Sequence, residues 1–291
     1  MYQYNILQDD RDKVQLSILT DTSEISIELS KFNSFPLEWK LTTSPSIGTL
    51  PQETIEFIIQ LCSRQVESKG GQRVVRILEK AEIGTNEESK FRDCGFDTYF
   101  IERHSVLDLQ DFKMESMKLD DISIHFWGDI TTINHQSETY LDELRTLYNV
   151  EYEADYEIRS TGRWDMFEPD PTEFVKRFVT DEARDDFMFV AKRRDEIVGL
   201  TYPWIENATT AGIYFTGTIP KYTKRHIATA LKIEMAKKLK EMGYLYLITT
   251  NRATNTAILH TNDNLKFKVT HDRLFLKLDL TNSLNSENND D

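Results

Sequence analysis

Apolar residues recur along this chain at two different periods, and the period decides which element each stretch predicts. Val14-Gln-Leu-Ser-Ile-Leu19 and Glu24-Ile-Ser-Ile-Glu-Leu29 alternate with polar positions, so residues 1–45 read as an antiparallel meander. After Pro51 the period changes: Ile55, Ile58, Ile59 and Cys62 share one helical face, and Gly70-Gly71 ends that helix before the strand-like Arg73–Leu78. A short polar helix follows from Glu87 to Cys94, then Gly95-Phe96 and a strand closing in Leu107-Asp108-Leu109.

The same order returns near the other end. Ile227, Leu231, Met235 and Leu239 step by four along a helix that Gly243 closes before the strand Tyr244–Thr249. A second helix spans about Asn255–Asn264, and Leu265-Lys266-Phe267 leads into a strand closing in Leu278-Asp279-Leu280. Phe267 to Asp279 covers the same 12 positions as Phe96 to Asp108, which points to an internal duplication. Three more strands, Phe187–Lys192, Ile197–Tyr202 and Gly212–Gly217, precede the second copy's first helix. The pattern predicts a mixed α+β fold of two related units, each a mostly antiparallel twisted sheet flanked by helices. The polar stretch 110–120 divides residues 1–115 from 116–281, and the Asn- and Ser-rich end, 282–291, is expected to be disordered.

Composition adds exclusions. At 291 residues the chain can fill two ordinary cores. A formal net charge of −14 repels nucleic acid phosphates and suits a cationic ligand, although acidity also serves plain solubility. No leader pattern or membrane-length apolar run is present, so the cytoplasm is the expected compartment and no membrane partner is expected. Cys62 and Cys94 are too few for a disulfide framework or a zinc site and read as buried small hydrophobes; the histidines show no metal spacing. Exposed sheet edges leave homodimerisation open.

The candidate chemistry lies between the third of those strands and the next helix. There Thr218-Ile-Pro-Lys-Tyr-Thr-Lys-Arg-His-Ile-Ala-Thr229 sets Lys221, Lys224 and Arg225 just before a helix start, where unpaired N–H groups and the helix dipole favour anions. This segment, with Thr250-Asn-Arg-Ala-Thr-Asn255 and Asn262-Asp-Asn-Leu-Lys-Phe267 downstream, resembles the pyrophosphate-loop region of the GNAT acetyltransferases. The resemblance is strong over 211–268, weaker over about 120–280, and the arrangement is similar to tandem-GNAT proteins with one degenerate half.

The resemblance implies an acyl group passed from acetyl-CoA or another acyl-CoA to a small amine by direct attack, without a metal. It assigns Thr216, Thr218, Ile219, Lys224, Arg225, His226, Ile227, Ala228, Thr229, Asn255 and Asn262 to the CoA site. Two departures stand out. Where the family reads Arg-Gly-x-Gly-x-Ala, this chain has Thr223-Lys224-Arg225-His226-Ile227-Ala228, and Asn262 stands where many members carry a tyrosine that protonates the departing thiolate. Lys266 replaces the glycine before Phe267. Tyr214 and Glu206 are the base candidates, against packing and turn-solvating roles. Glu138–Pro171 would line the acceptor side with Glu151, Glu153, Asp155, Tyr156, Trp164, Asp165 and Glu168, residues that also suit a solvated helix face. A non-catalytic acyl-CoA sensor is the second reading, carried by the missing glycines and tyrosine.

Overall fold

The computed structural model describes residues 3–20, 24–32, 35–44, 46–154 and 170–280. The expected tail and Asp155, Tyr156, Trp164, Asp165 and Glu168 lie outside them. In chain order the main elements are β1 (Gln3–Asp9), β2 (Lys13–Leu19), β3 (Glu24–Phe32), β4 (Phe35–Ser44), α1 (Gln52–Ser68), β5 (Arg73–Leu78), α2 (Asn86–Asp93) and β6 (Asp97–Asp108). Then come β7 (Ser123–Phe126), α3 (Glu138–Ala154), α4 (Pro171–Val179), β8 (Phe189–Arg193), β9 (Glu196–Asn207), β10 (Thr210–Thr218), α5 (Ile227–Glu241), β11 (Tyr246–Arg252), α6 (Thr256–Asn264) and β12 (Lys268–Asp279). This is the expected mixed α+β class, with mostly antiparallel sheets flanked by helices.

Two compact units result, one of residues 1–102, 252–254 and 271–291, the other of 103–251 and 255–270. Their strand orders match: β1-β2-β3-β4-β5-β12 in the first and β7-β8-β9-β10-β11-β6 in the second. In each, antiparallel neighbours give way to one parallel pair, β4 with β5 and β10 with β11, around a crossover helix. The closing strand of each order comes from the other half of the sequence, so the units are discontinuous in the chain.

In the first unit the alternating residues Val14, Leu16, Ile18, Ile25, Ile27 and Leu29 meet the Ile55, Ile58, Ile59 and Cys62 face of α1, with Trp39 fully buried between them. Burial pushes the Cys62 thiol up to about 12, whereas Cys94 is only half-buried and accepts a hydrogen bond from Gln52 Nε2 at 3.4 Å. In the second unit both sheet faces are covered. Phe189, Ala191 and Val198 pack with Ile227, Leu231, Met235 and Leu239 of α5, and Met188, Val190, Leu200 and Tyr202 pack with Leu144 and Leu147 of α3 and Phe174 and Phe178 of α4.

The β9 and β10 strands run longer than the sequence reading, Glu196–Asn207 and Thr210–Thr218, and three other boundaries differ for a local reason. Gly243 turns with φ 92° and Tyr244 N–H closes back on Leu239 O at 3.1 Å, so β11 starts at Tyr246 rather than Tyr244. Asn255 caps α6 from outside, its side chain accepting the Ile258 N–H. Asp185–Phe187 forms a 3₁₀ turn, which delays β8 to Phe189. Among the described residues no helix is long and apolar enough to cross a membrane.

Gly71 shows how tightly the first unit is packed: a Cβ there would stand 2.7 Å from Trp39 Cδ1 and closer still to Val66. Gly71→Ala therefore lowers stability by about 1–3 kcal/mol, readable as a fall in the urea midpoint without a change in slope.

Candidate active site

β10 and β11 run parallel in register only from Thr210–Tyr246 to Gly212–Ile248, yet β10 continues to Thr218 and β11 to Arg252. Beyond the pairing the strands diverge, and the edges of both are released from each other. Against β9, β10 carries a bulge between Ile213 and Phe215, which makes Tyr214 the unpaired residue at the mouth of that divergence. Gly212 permits this path, because Trp204 of β9 lies where a Cβ would be.

The chain leaves β10 through a loop that is held at its start. Ile219 N–H bonds Val198 O at 3.0 Å, Pro220–Tyr222 forms a 3₁₀ turn, and the buried Tyr222 donates to Glu196 Oε2 at 2.8 Å. Lys224 and His226 then adopt φ of 61° and 60°, in the left-handed region, at the two positions where the sequence comparison expects glycine. Lys266, the third such position, has φ 68°. Each costs roughly 1–2 kcal/mol against a relaxed backbone. The loop thus keeps a glycine shape without glycine. His226 supplies no side-chain cap to α5, so the N–H groups of Ile227, Ala228 and Thr229 depend on a partner outside the helix.

Cationic side chains surround this helix start, and not all are free to meet an anion. Lys224 and His226 are exposed. Arg225 pairs with Asp121 at 2.6 Å, and Asp121 also holds Arg193 at 2.6 Å. Arg193 first, then Arg225, keep the Asp121 carboxyl below its usual range. An open depression of about 290 Å³ beside the loop is lined by Lys118, Leu119, Asp120, Ile122, Arg225 and His226. Thr216 shares a hydroxyl contact of 2.7 Å with Thr201, while Thr218 Oγ1 is buried with no hydrogen-bond partner among the described residues. That orphaned hydroxyl, the left-handed turns and the open helix start fit a phosphate-bearing ligand.

Asn262 is buried on α6 and joins three elements. Its Oδ1 accepts from Lys232 Nζ of α5 at 2.6 Å, and its Nδ2 donates to Asn251 Oδ1 of β11 at 2.8 Å. Asn255 is engaged as the α6 cap. Lys232 is 1 % exposed, and burial alone lowers its pKa to about 7. Sequence reasoning passed over it as one more lysine of an amphipathic helix; its place directly after Leu231 of the apolar stripe was the available signal.

A second network lies on the α3 and α4 side. Tyr214 donates to Glu182 Oε1 at 2.8 Å, its ring stacks on that of Tyr202 at 5.6 Å, and the Arg177 guanidinium sits 5.3 Å from its centroid. Arg177 also bonds Glu151 Oε1 at 2.9 Å, and Tyr202 donates to the other Glu151 oxygen. Burial, opposed by Arg177 and helped by the bond to Glu182, raises the Tyr214 pKa, so this phenol keeps its proton near neutrality and serves as a hydrogen-bond donor rather than a base. Glu151 is thus a buried charge paired with Arg177 rather than a solvated helix acid. Glu206 lies at the turn end of the β9–β10 hairpin, exposed, accepting the Trp204 indole N–H at 3.0 Å. Trp204 edges against Tyr214 with centroids 6.3 Å apart, so the two base candidates flank one indole. Among the described residues no group of three His, Cys, Asp or Glu could hold a metal.

The first unit closes the equivalent loop on itself. Lys90 and Asn86 of α2 bond Gly48 O at 2.8 and 3.0 Å, and Glu87 receives Ser46 and, at 2.8 Å, Arg76. A buried carboxylate thus stands beside a loop that carries no cation of its own, the reverse of an anion site.

Residues 141–260 match the acetyltransferase (GNAT) family. Similar solved structures include a GCN5-related N-acetyltransferase from Sphaerobacter thermophilus, at TM-score 0.70 and 12% identity over 94% of this chain and 82% of that one. A tandem GNAT protein from the clavulanic acid biosynthesis pathway aligns at TM-score 0.61 and 13% identity over 92% and 83%. At these identities the likeness is one of fold. No curated protein sequence matches the chain.

Two outcomes test this geometry. His226→Gly removes a left-handed β-carbon while adding unfolded-state entropy, so it should stabilise the protein by about 0.5–1 kcal/mol in urea melts. Lys232 has a folded pKa of about 7, below the ~10.4 of a free lysine, so the unfolded chain binds the extra proton between those values. Stability of wild type relative to Lys232→Met should therefore rise as pH increases from about 7 to about 10, at roughly 1.4 kcal/mol per pH unit, and be flat below.

Proposed function

We propose that the chain is an acyl-CoA:amine N-acyltransferase acting on a small, cationic primary amine. The observation that carries this reading is the backbone at Lys224 and His226, which turns twice through the left-handed region although glycine is absent from both positions. Backbone strain at two residues of one helix start supports a site that uses it.

Bound acyl-CoA would supply the thioester, the activated acyl group that the acceptor attacks. Lys224 and the N–H groups of Ile227, Ala228 and Thr229 would hold the pyrophosphate, with Thr216, Thr218, Ile219 and His226 beside them and Arg225 exchanging Asp121 for a phosphate oxygen. Asn255 and Asn262 would border the pantetheine arm. Backbone N–H groups at the β10 bulge would polarise the acyl carbonyl. A free alkylamine of pKa ~10.4 is neutral in only about one molecule in 2,500 at pH 7, so a base helps. Tyr214 would orient that amine while Glu182, which accepts the Tyr214 hydrogen bond, takes its proton; Glu206, on the far side of Trp204, is the alternative carboxylate. Glu153 would add to the negative field that favours a cation, whereas Arg177 neutralises Glu151.

The duplicated pattern supports reading residues 1–115 and 116–281 as two copies of one GNAT unit, the first degenerate. With acyl-CoA as co-substrate the expected compartment is the cytoplasm, and neither nucleic acid nor membrane is needed as a partner. The pairing of Arg225 with Asp121 favours a second reading, an acyl-CoA sensor without turnover.

Thiol release from acetyl-CoA, followed against a panel of primary diamines and amino sugars, separates the two. The enzyme reading expects amine-dependent release and a drop of about 10²-fold in kcat/KM for both Tyr214→Phe and Glu182→Gln. Saturable binding of acetyl-CoA with no release for any amine would establish the sensor.

A further inference from the structure

Lys232 is the buried titratable group that the reading above leaves unused. It projects from α5, the helix whose first turn is the phosphate loop, and it is 1 % exposed. The side-chain groups around its ammonium are neutral: Asn262 Oδ1 of α6 at 2.6 Å and the Phe267 ring at 5.6 Å. Behind Asn262 stand Asn251 and Thr249 of β11, also neutral. Glu234 on the same helix bonds Lys237 instead. Among the described residues Asn262 is the one hydrogen-bond acceptor of this ammonium, which leaves two of its three N–H groups unclaimed by them.

The fold does not require this polar pair. In the first unit, the residue whose carbonyl receives the turn N–H after α2 is Phe91, as Asn262 receives that of Phe267. Phe91 is fully buried and apolar. A buried amine with no carboxylate is costly, and an apolar residue would serve packing better. The pair also lies beside the strand segment, Thr249–Arg252, that continues after β11 has parted from β10.

On the strength of the acyltransferase reading, we propose that Lys232 is the proton donor to the sulfur that leaves when the amine is acylated. As the new C–N bond forms and the C–S bond breaks, the electron pair of that bond goes to sulfur, and Lys232 Nζ gives sulfur one proton. The surplus proton on the new amide nitrogen passes through the base to solvent, and the neutral lysine regains a proton from water. Asn262 positions the lysine and cannot itself supply a proton near neutrality. Burial lowers the lysine pKa to about 7, which suits a group that must give a proton and recover it each turnover.

The test is read on the wild-type protein by NMR of labelled lysine side chains, with Lys232→Gln identifying the signal. Titration is followed with no addition, with CoA and with desulfo-CoA. A donor facing the sulfur senses the thiol that only CoA carries, so the midpoint with CoA should differ from that with desulfo-CoA by about half a pH unit or more. In turnover, wild-type kcat/KM should fall as pH rises through the free-protein midpoint, and Lys232→Gln should lower kcat at least tenfold and abolish that limb. Equal midpoints with the two ligands overturn the inference while leaving acyl-CoA binding intact; failure of either ligand to bind overturns it together with the acyltransferase reading.

Discussion

The backbone between Ile219 and Ile227 constrains everything else at the candidate site. It must leave a strand, turn twice through the left-handed region and enter a helix with its first N–H groups unpaired. Glycine makes that path at no steric cost; lysine and histidine do not. The surrounding contacts therefore have to hold it: Ile219 on Val198, Tyr222 between Glu196 and Arg193, and Arg225 on Asp121. These contacts explain why the loop begins in a buried 3₁₀ turn and why acid and base meet at its rim. They also create a competition, because the carboxylate that steadies Arg225 neutralises a cation that a phosphate would otherwise attract.

The splay of β10 from β11 is the second requirement, and it explains the two buried polar networks. Where paired strands would present a continuous apolar surface, the divergent segment meets Lys232, Asn262 and Asn251 on one side and Tyr214, Tyr202, Glu151 and Arg177 on the other. The first unit reaches the same strand order with Phe91 and a closed loop, so polarity at the splay belongs to the site rather than to the scaffold.

Much of this was legible beforehand because it is written in local periodicity. Val14–Leu29 alternate as strands must, Ile55 to Cys62 and Ile227 to Leu239 stripe their helices, and the repeated Phe-to-Asp spacing follows from two strands of equal length, β6 and β12. The left-handed turn at 224–226 was legible as a resemblance, but its persistence without glycine was not, since propensity alone argues against it. Side-chain partnerships were hidden for a different reason. Nothing in a one-dimensional pattern tells that Arg177 lies against Glu151, that Asp121 captures Arg225 across 104 positions, or that Lys232 turns inward. Glu151 read as one acid among many on α3; only packing against α4 and β9 reveals it as a buried, paired charge.

The most direct measurement is a calorimetric titration of wild type and of a Lys224→Ala, Arg225→Ala double variant with acetyl-CoA. The account predicts micromolar binding by wild type that the double variant loses by at least tenfold, with both proteins melting cooperatively. Absence of heat with folded wild type, or equal affinity in the two proteins, would contradict the assignment of residues 218–229 as a phosphate loop.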